Sequence, residues 1–569
     1  MYCVTKFNNS KMVPGCKLFL LLMLFLSMGL FSQTHAQTYI DVAPDNYPVE
    51  RGNLNRAVEE HGAEGVIFRL ERDAVYWTDG VMVNVDYELV IEAEEGDGHI
   101  PIMRPAVDMD FQSYEFAQSE HNLTIRNVYL GGLDDQGNWR GRIRLRTDDT
   151  RMTLEGIYMD YNGCILIRTD GENISLFASD SQFRHIGQTT DPSCGRVWDS
   201  RGNNVDSIVF VNNTMYLGTH FPLRTFGGTV NYMEMNHNTI VDWGYHLEIG
   251  LTKELVFTNN HMINIGWRGP SGRDGVGYAD HSILTFMEAD PIEAFNDEDR
   301  NLIIRNNNLG SMRPEYVQML QDHWDAHWQA EGDSVAFTEE PAARPFIHDQ
   351  VMDTTGYNLM AMGVLVYEDN ILEEESELQF TDRPDWQNVV EYQTAYLADP
   401  SQTLPLPWDR RETLDGDDDV PPFSGAQGVD QWRDFSYSTS AQSYTAGIGG
   451  LPIGDLNWFP DKKAEWEAME TSVEDVAAIE QPEAFTLVGN YPNPFNPTTN
   501  IEYQLAETMD VTMTVFNSLG QKVDQVALGT QSAGTHSVSY DASQLSSGMY
   551  IVRMDAGNLT QSIKITLIK

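Results

Sequence analysis

The chain has 569 residues, of which 36 are basic and 85 acidic, for a formal net charge of −49. So dense an acidic surface weakens contact with nucleic acid and with anionic membrane, and neither is expected as a partner. With 41% hydrophobic residues the chain can bury a large core or several smaller ones.

The first predicted element carries Lys6, Lys11 and Lys17, then an apolar run from Leu18 to Phe31, then Thr34-His35-Ala36. A basic flank, an apolar stretch and a small residue at its end describe a secretory signal peptide over 1–36. The run is short for a bilayer span of about 20 residues. No later segment is apolar enough to cross, so no transmembrane anchor is expected after cleavage. Cleavage removes three of the 36 basic residues and none of the 85 acidic ones, leaving the mature chain near −52. A salty habitat or divalent-cation binding would each suit such a charge, and the spread of the acids along the chain favours the first.

A repeat follows. A short β-branched run, a polar residue and a second apolar pair begin at Leu123, Met152, Ile174, Ile208, Tyr232, Leu255 and Leu302, with weaker copies at Leu89 and Val364. The underlying spacing is near 22–24 residues, with insertions. Leucine-rich repeats need a leucine frame that is absent, and a propeller blade needs about forty residues. Coils of two or three short strands, stacked at about 4.8 Å, fit the period. Asn127, Asn212, Asn236, Asn259 and Asn306 follow the same strand in successive copies. There they are expected to turn the chain in left-handed geometry and to hydrogen-bond as a ladder. Over this span the chain resembles the right-handed parallel β-helix superfamily with the pectate-lyase-like fold. That resemblance implies an all-β domain over 37–470, and either a polysaccharide lyase or hydrolase or a non-catalytic surface protein.

Cys164 and Cys194 are the only cysteines after Ala36, and they open successive coils, within reach of a disulfide on neighbouring rungs. Residues 313–350 break the repeat. Tyr316, Met319, Leu320, Trp324 and Trp328 at helical spacing after Pro314 predict an inserted amphipathic helix. His323 and His327 share one face at a zinc-ligand spacing, but Trp324 stands where a zinc protease carries glutamate, so structural use is expected. The segment from Leu451 reads as a coil-capping turn and a short helix, and 471–486 as an acidic linker.

Pro492, Pro494 and Pro497 then stiffen the entry to six alternating strands punctuated by Gly520, Gly529, Gly534, Gly548 and Gly557. The stretches Ser518–Val523 (SLGQKV) and Ser546–Met554 (SSGMYIVRM) make 487–569 resemble the C-terminal sorting domain of the bacterial type IX secretion system. The resemblance implies an Ig-like β-sandwich, recognition by the secretion machinery, and a protein secreted or held at the outer-membrane surface.

For chemistry, Arg168, Arg201 and Arg224 recur at similar places in successive coils, with His220 and His246 nearby. A uronate lyase needs a base for the proton α to the carboxyl group and a cation to neutralise that carboxylate. Arginine serves as base in many β-helix lyases, with Ca²⁺ as a candidate cofactor. These five are therefore the expected catalytic residues, Arg224 foremost. Trp198, Tyr216 and Trp243 are expected to stack on sugar rings. The competing expectation is that the arginines merely pair with Asp170, Asp199 and Glu248. The functional reading is a polysaccharide-lyase-like exported protein. The alternative is a non-catalytic, adhesin-like glycan binder.

Overall fold

The structure is a computed structural model that describes residues 37–477 and 485–567 apart from short stretches, the longest being 107–114, 133–140, 188–193, 267–283, 287–294, 323–358 and 395–433. The signal-peptide residues, His323 and His327 lie outside the described residues. So does most of the predicted insertion, of which a helical start at Pro314–Tyr316 is described.

Short β-branched strands separated by turns can bury both faces only by stacking, and they do so in parallel. The chain visits three faces in turn. Ile174–Ser179 lies on the first, Gln182–Ile186 on the second and Arg196–Asp199 on the third, and Val205–Val211 returns to the first beside its predecessor. The second face is an eight-stranded sheet, and the first and third are joined into one set of 18 strands by Leu247–Thr258, which serves both. Every pairing in these faces is parallel. This is the arrangement of a parallel β-helix.

The core follows from register. Leu123, Met152, Leu176, Ile208, Met233, Leu255, Leu302 and Leu365 align on the first face, and all are buried in one cluster. The helix Asn53–His61 adds Leu54 and Val58 to that cluster near the first coil. On the outside of the first face, Asp41, Arg69, Glu92, Arg126 and Glu155 stand at one register in strict alternation of charge. Arg69 reaches Asp41 at 2.6 Å, and Arg126 reaches Glu92 and Glu155 at 3.3 Å each.

The asparagine ladder exists, displaced by one or two residues from the expected positions. Asn213, Asn238, Asn260, Asn307 and Asn370 form it, each side chain donating to the next at 2.9–3.0 Å. The expected residues do the turning: Asn127, Asn212, Asn259 and Asn306 all have φ between 52° and 57°. Asn236 does not. His237 turns that coil at φ 55°, and the Asn236 side-chain oxygen accepts from the Asn259 side chain at 2.9 Å.

The turning residues also hold a strap. Residues 446–457 run past the coils in the reverse order. Ala446 accepts from Asn306, Ile448 donates to Asn259, the Gly454 carbonyl bonds His237, and Asn457 reaches Asn212 and Asp180. Asp455, buried, takes a bond from Thr214 at 2.7 Å. The predicted capping turn thus lies along the side of the coils. Beside it, Tyr316, Leu378, Val389, Phe435 and Tyr437 cover Tyr216, Val241 and Ile263 of the second face.

The chain divides into two compact units at Lys462/Lys463. The helix Pro460–Ala477 crosses that division and occupies the first half of the predicted linker. The second unit holds antiparallel sheets of three and four strands. Ile501, Tyr503 and Tyr540 of one sheet share a core with Met513, Val515 and Val552 of the other.

Candidate functional site

The outer register of the third face reads Gln118, Arg144, Arg168, Asp199, Arg224, Glu248 and Thr285 from coil to coil. Ile143, Leu145 and Ile167 point into the core between them, so the charged side chains leave the opposite side. Two carboxylates there each serve two guanidiniums. Asp170 bonds Arg168 Nε at 2.8 Å and also Arg144. Asp199, fully buried, lies 3.1 Å from Arg196 Nη1 and 3.7 Å from Arg201 Nη1. Arg224 meets Glu248 at 3.4 Å, with its guanidinium 5.4 Å from the Phe221 ring centre.

The turns leading into this face supply the rest. Residues 219–222 and 244–246 are short connections, set between the longer connections 187–195 and 266–283. They bring together His220, Phe221, Tyr245 and His246. Phe221 stacks on Tyr245 at 5.1 Å, and His220 and His246 meet its ring edge-on at 4.5 and 4.9 Å. Arg196 Nε donates to His220 Nδ1 at 3.2 Å, which leaves the imidazole proton on Nε2. Burial pushes the Arg196 guanidinium down to about 10 against the pull of Asp199, with Arg224 and Arg201 adding to the fall. Burial raises Asp170, but bonds from Arg168 and Arg144 outweigh it and hold its carboxyl below the usual range.

The expected residues separate into three groups. His220, Arg224 and His246 gather in this cluster, and Arg168 stands one coil before Asp199 on the same face. Arg201 does not share their register, because Asp199 occupies it. Arg201 sits in the following turn at φ 60°, 41% exposed. Trp198, Tyr216 and Trp243 offer no ring to a sugar, since all three are fully buried. Trp198 packs inward between Ile167 and Leu223. Trp243 fills the space where Gly218 lacks a side chain. Tyr216 lies under Phe435 and accepts from Arg184. Arg196 was not anticipated, although its place two residues after Cys194 marked the opening of the coil.

A second buried polar group lies on the outer side of the second face. Asp160, fully buried, holds Arg184 Nε at 2.8 Å, His185 Nδ1 at 2.7 Å and Tyr129 Oη at 3.1 Å. Burial works to raise that carboxyl, and Arg184 and His185 beside it overcome the effect. No group of three or more His, Cys, Asp or Glu placed to hold a metal occurs among the described residues.

Residues 490–569 match the family of secretion system C-terminal sorting domains. The chain carries a sorting domain. The protein is therefore exported, to the cell surface or into the medium, and the sorting domain is the part that the secretion machinery recognises. No curated protein is significantly similar to the chain. Among the described residues no helix is long and apolar enough to cross a membrane.

Proposed function

We propose that the exported β-helix, right-handed and pectate-lyase-like, acts on a uronate-bearing polysaccharide at its third face. The observation that carries this is a gathering of guanidiniums. Among the described contacts Arg144 and Arg168 meet at Asp170, and Arg196 and Arg201 at Asp199, on and just beyond one face of a chain whose net charge is −49. An anionic polymer would be repelled elsewhere and received there.

Arg168 and Arg201 are placed to neutralise a uronate carboxylate. That step lets the proton beside the carboxyl leave. Arg196, with its lowered affinity for a proton, and Arg224 are the candidates to take it. The electron pair of that C–H bond forms the double bond, the glycosidic C–O bond breaks, and the Nε2 proton of His220 passes to the departing oxygen while Arg196 Nε gives its proton to Nδ1, so the ring stays neutral. Parallel β-α-β and β-β crossovers are right-handed in about 98% of cases, which supports the winding.

The full pairing of Arg224 with Glu248 favours a second reading, a non-catalytic binder of the same polymers. Both are tested by incubating the secreted protein with polygalacturonate, alginate and a sulfated uronan while following the absorbance of unsaturated product. Product from one polymer supports the lyase, and retention without product supports the binder. Neither product nor retention on any polymer would sink both.

A further inference from the structure

The cluster around Arg196 is tied to the preceding coil by a covalent bond. Cys164 and Cys194 are bonded, 30 residues apart in sequence and 4.2 Å apart at Cα. Two residues beyond Cys194 stands Arg196. The Cys164 carbonyl accepts from the backbone N–H groups of both Gly195 and Arg196, each at 2.8 Å. On the other side the Cys194 carbonyl accepts from Thr219 Oγ1 at 2.7 Å, and the Gly195 carbonyl from the N–H of His220 at 3.2 Å. Residues 194–196 thus join three successive coils, and the residue they deliver on one side bonds the residue they anchor on the other.

The third face is thin here. Arg196–Asp199 is a four-residue strand, and its next neighbour Leu223–Arg224 has two residues with two aligned pairs between them. So short a ladder gives little resistance to sliding or fraying. The neighbouring coils on the first face align over six residue pairs and carry no such bond.

We infer that the Cys164–Cys194 bond is the positioning device of the guanidinium site, fixing the start of Arg196–Asp199 so that Arg196 meets both His220 and Asp199. The inference rests on reading that cluster as the working site. A bond that served stability alone would be felt evenly by the whole cooperative unit. A positioning bond is felt first at Arg196 and His220.

The test uses the full secreted chain labelled with ¹⁵N-histidine, in three states: oxidised, reduced with a phosphine, and as the Cys164→Ala/Cys194→Ala variant. The His220 resonance is assigned with His220→Gln. His237 and His261, buried at the other corner, serve as internal controls. The expected result is that the Nδ1 shift of His220 moves in both bond-free states while His237 and His261 stay in place. An unmoved His220 overturns the inference, and so does movement of all three together or unfolding of both bond-free states. Retention on immobilised polygalacturonate is measured alongside. Loss of the bond should weaken it about tenfold or more, the scale of displacing one charge-assisted hydrogen bond. A parent that binds no polygalacturonate would count against the proposed substrate, while the histidine shifts would still decide the role of the bond.

Discussion

Arg196 serves its own strand and the following coil at once: Nε donates to His220 Nδ1 at 3.2 Å, and the side chain stands between that ring and the buried Asp199 carboxylate, 3.1 Å from Nη1. A lysine has one donor centre on a flexible stem and cannot serve both partners. Arg196→Lys should therefore cost turnover about 10²–10⁴-fold on any polymer the parent cleaves, the scale of a lost acid–base group. Loosening the ion pair to the buried Asp199 carboxylate should lower stability by about 1–3 kcal/mol. Arg224→Ala should cost a similar factor in rate with only about 1 kcal/mol of stability, because Glu248 is partly exposed. Initial rates and urea melts on both variants check this, and full activity in both would remove the site from the third face.

The ladder sets a second expectation. Asn260 donates to the Met235 carbonyl and to Asn307, and its own carbonyl accepts the backbone and side-chain N–H groups of Asn238. Asn260→Leu leaves the Met235 carbonyl and both Asn238 N–H groups without that partner in a fully buried position, while Asn307 keeps its bond from the backbone N–H of residue 260. At about 1–3 kcal/mol for each unsatisfied group, the loss should exceed any surface substitution severalfold. A urea midpoint within error of the parent would show that the ladder is decorative.

Acid and base act on different buried groups. Burial pushes Glu234 and Asp455 up to about 7, so between pH 4.5 and 7 the folded chain keeps protons that the unfolded chain has released. Their contribution to stability falls as pH rises through that window. Burial pushes His237 down to about 4 and His261 to about 3, so below pH 6.5 the unfolded chain binds protons that the folded chain refuses. Their contribution falls as pH drops. Asp455→Asn should gain stability relative to the parent as pH climbs from 4 to 7, and His237→Gln should gain as pH drops from 6.5 to 4. Tm differences that stay flat with pH would refute the assignments.

Much of this fold could be read from residue spacing. The repeat starts Leu123, Met152, Ile208, Leu255 and Leu302 fall on one register, since each is an inward side chain of a first-face strand. Ile174 is two residues early and Tyr232 one, because Ile174–Ser179 and Thr229–Asn236 begin before the common register. The third face was harder. Counting back from the first face crosses turns of unequal length, so Arg201 looked equivalent to Arg168 when Asp199 is. Inward or outward direction depends on the parity of a strand only four or five residues long, which is why Trp198 and Trp243 passed for exposed rings.

The strap and the sorting domain give opposite expectations for truncation. Ending the chain after Glu480 removes the sorting domain and keeps the strap, so the β-helix should melt as before while export beyond the periplasm fails. Ending it after Gln442 strips Asp455 from Thr214 and Gly454 from His237, and Tm should fall by several degrees. Thermal melts and cell fractionation of both truncations check this, and surface delivery of the first would contradict the role of residues 490–569.

Asp41, Arg69, Glu92, Arg126 and Glu155 carry a consequence for how such a protein can change in length. Delete the coil that bears Glu92 and Arg69 comes to lie against Arg126; duplicate it and two glutamates become neighbours. Like charges directly opposite are destabilising. Removing or copying two adjacent coils leaves every neighbour opposite in sign. In this part of the chain, inheritance by unequal crossover is tolerated in even steps and penalised in odd ones.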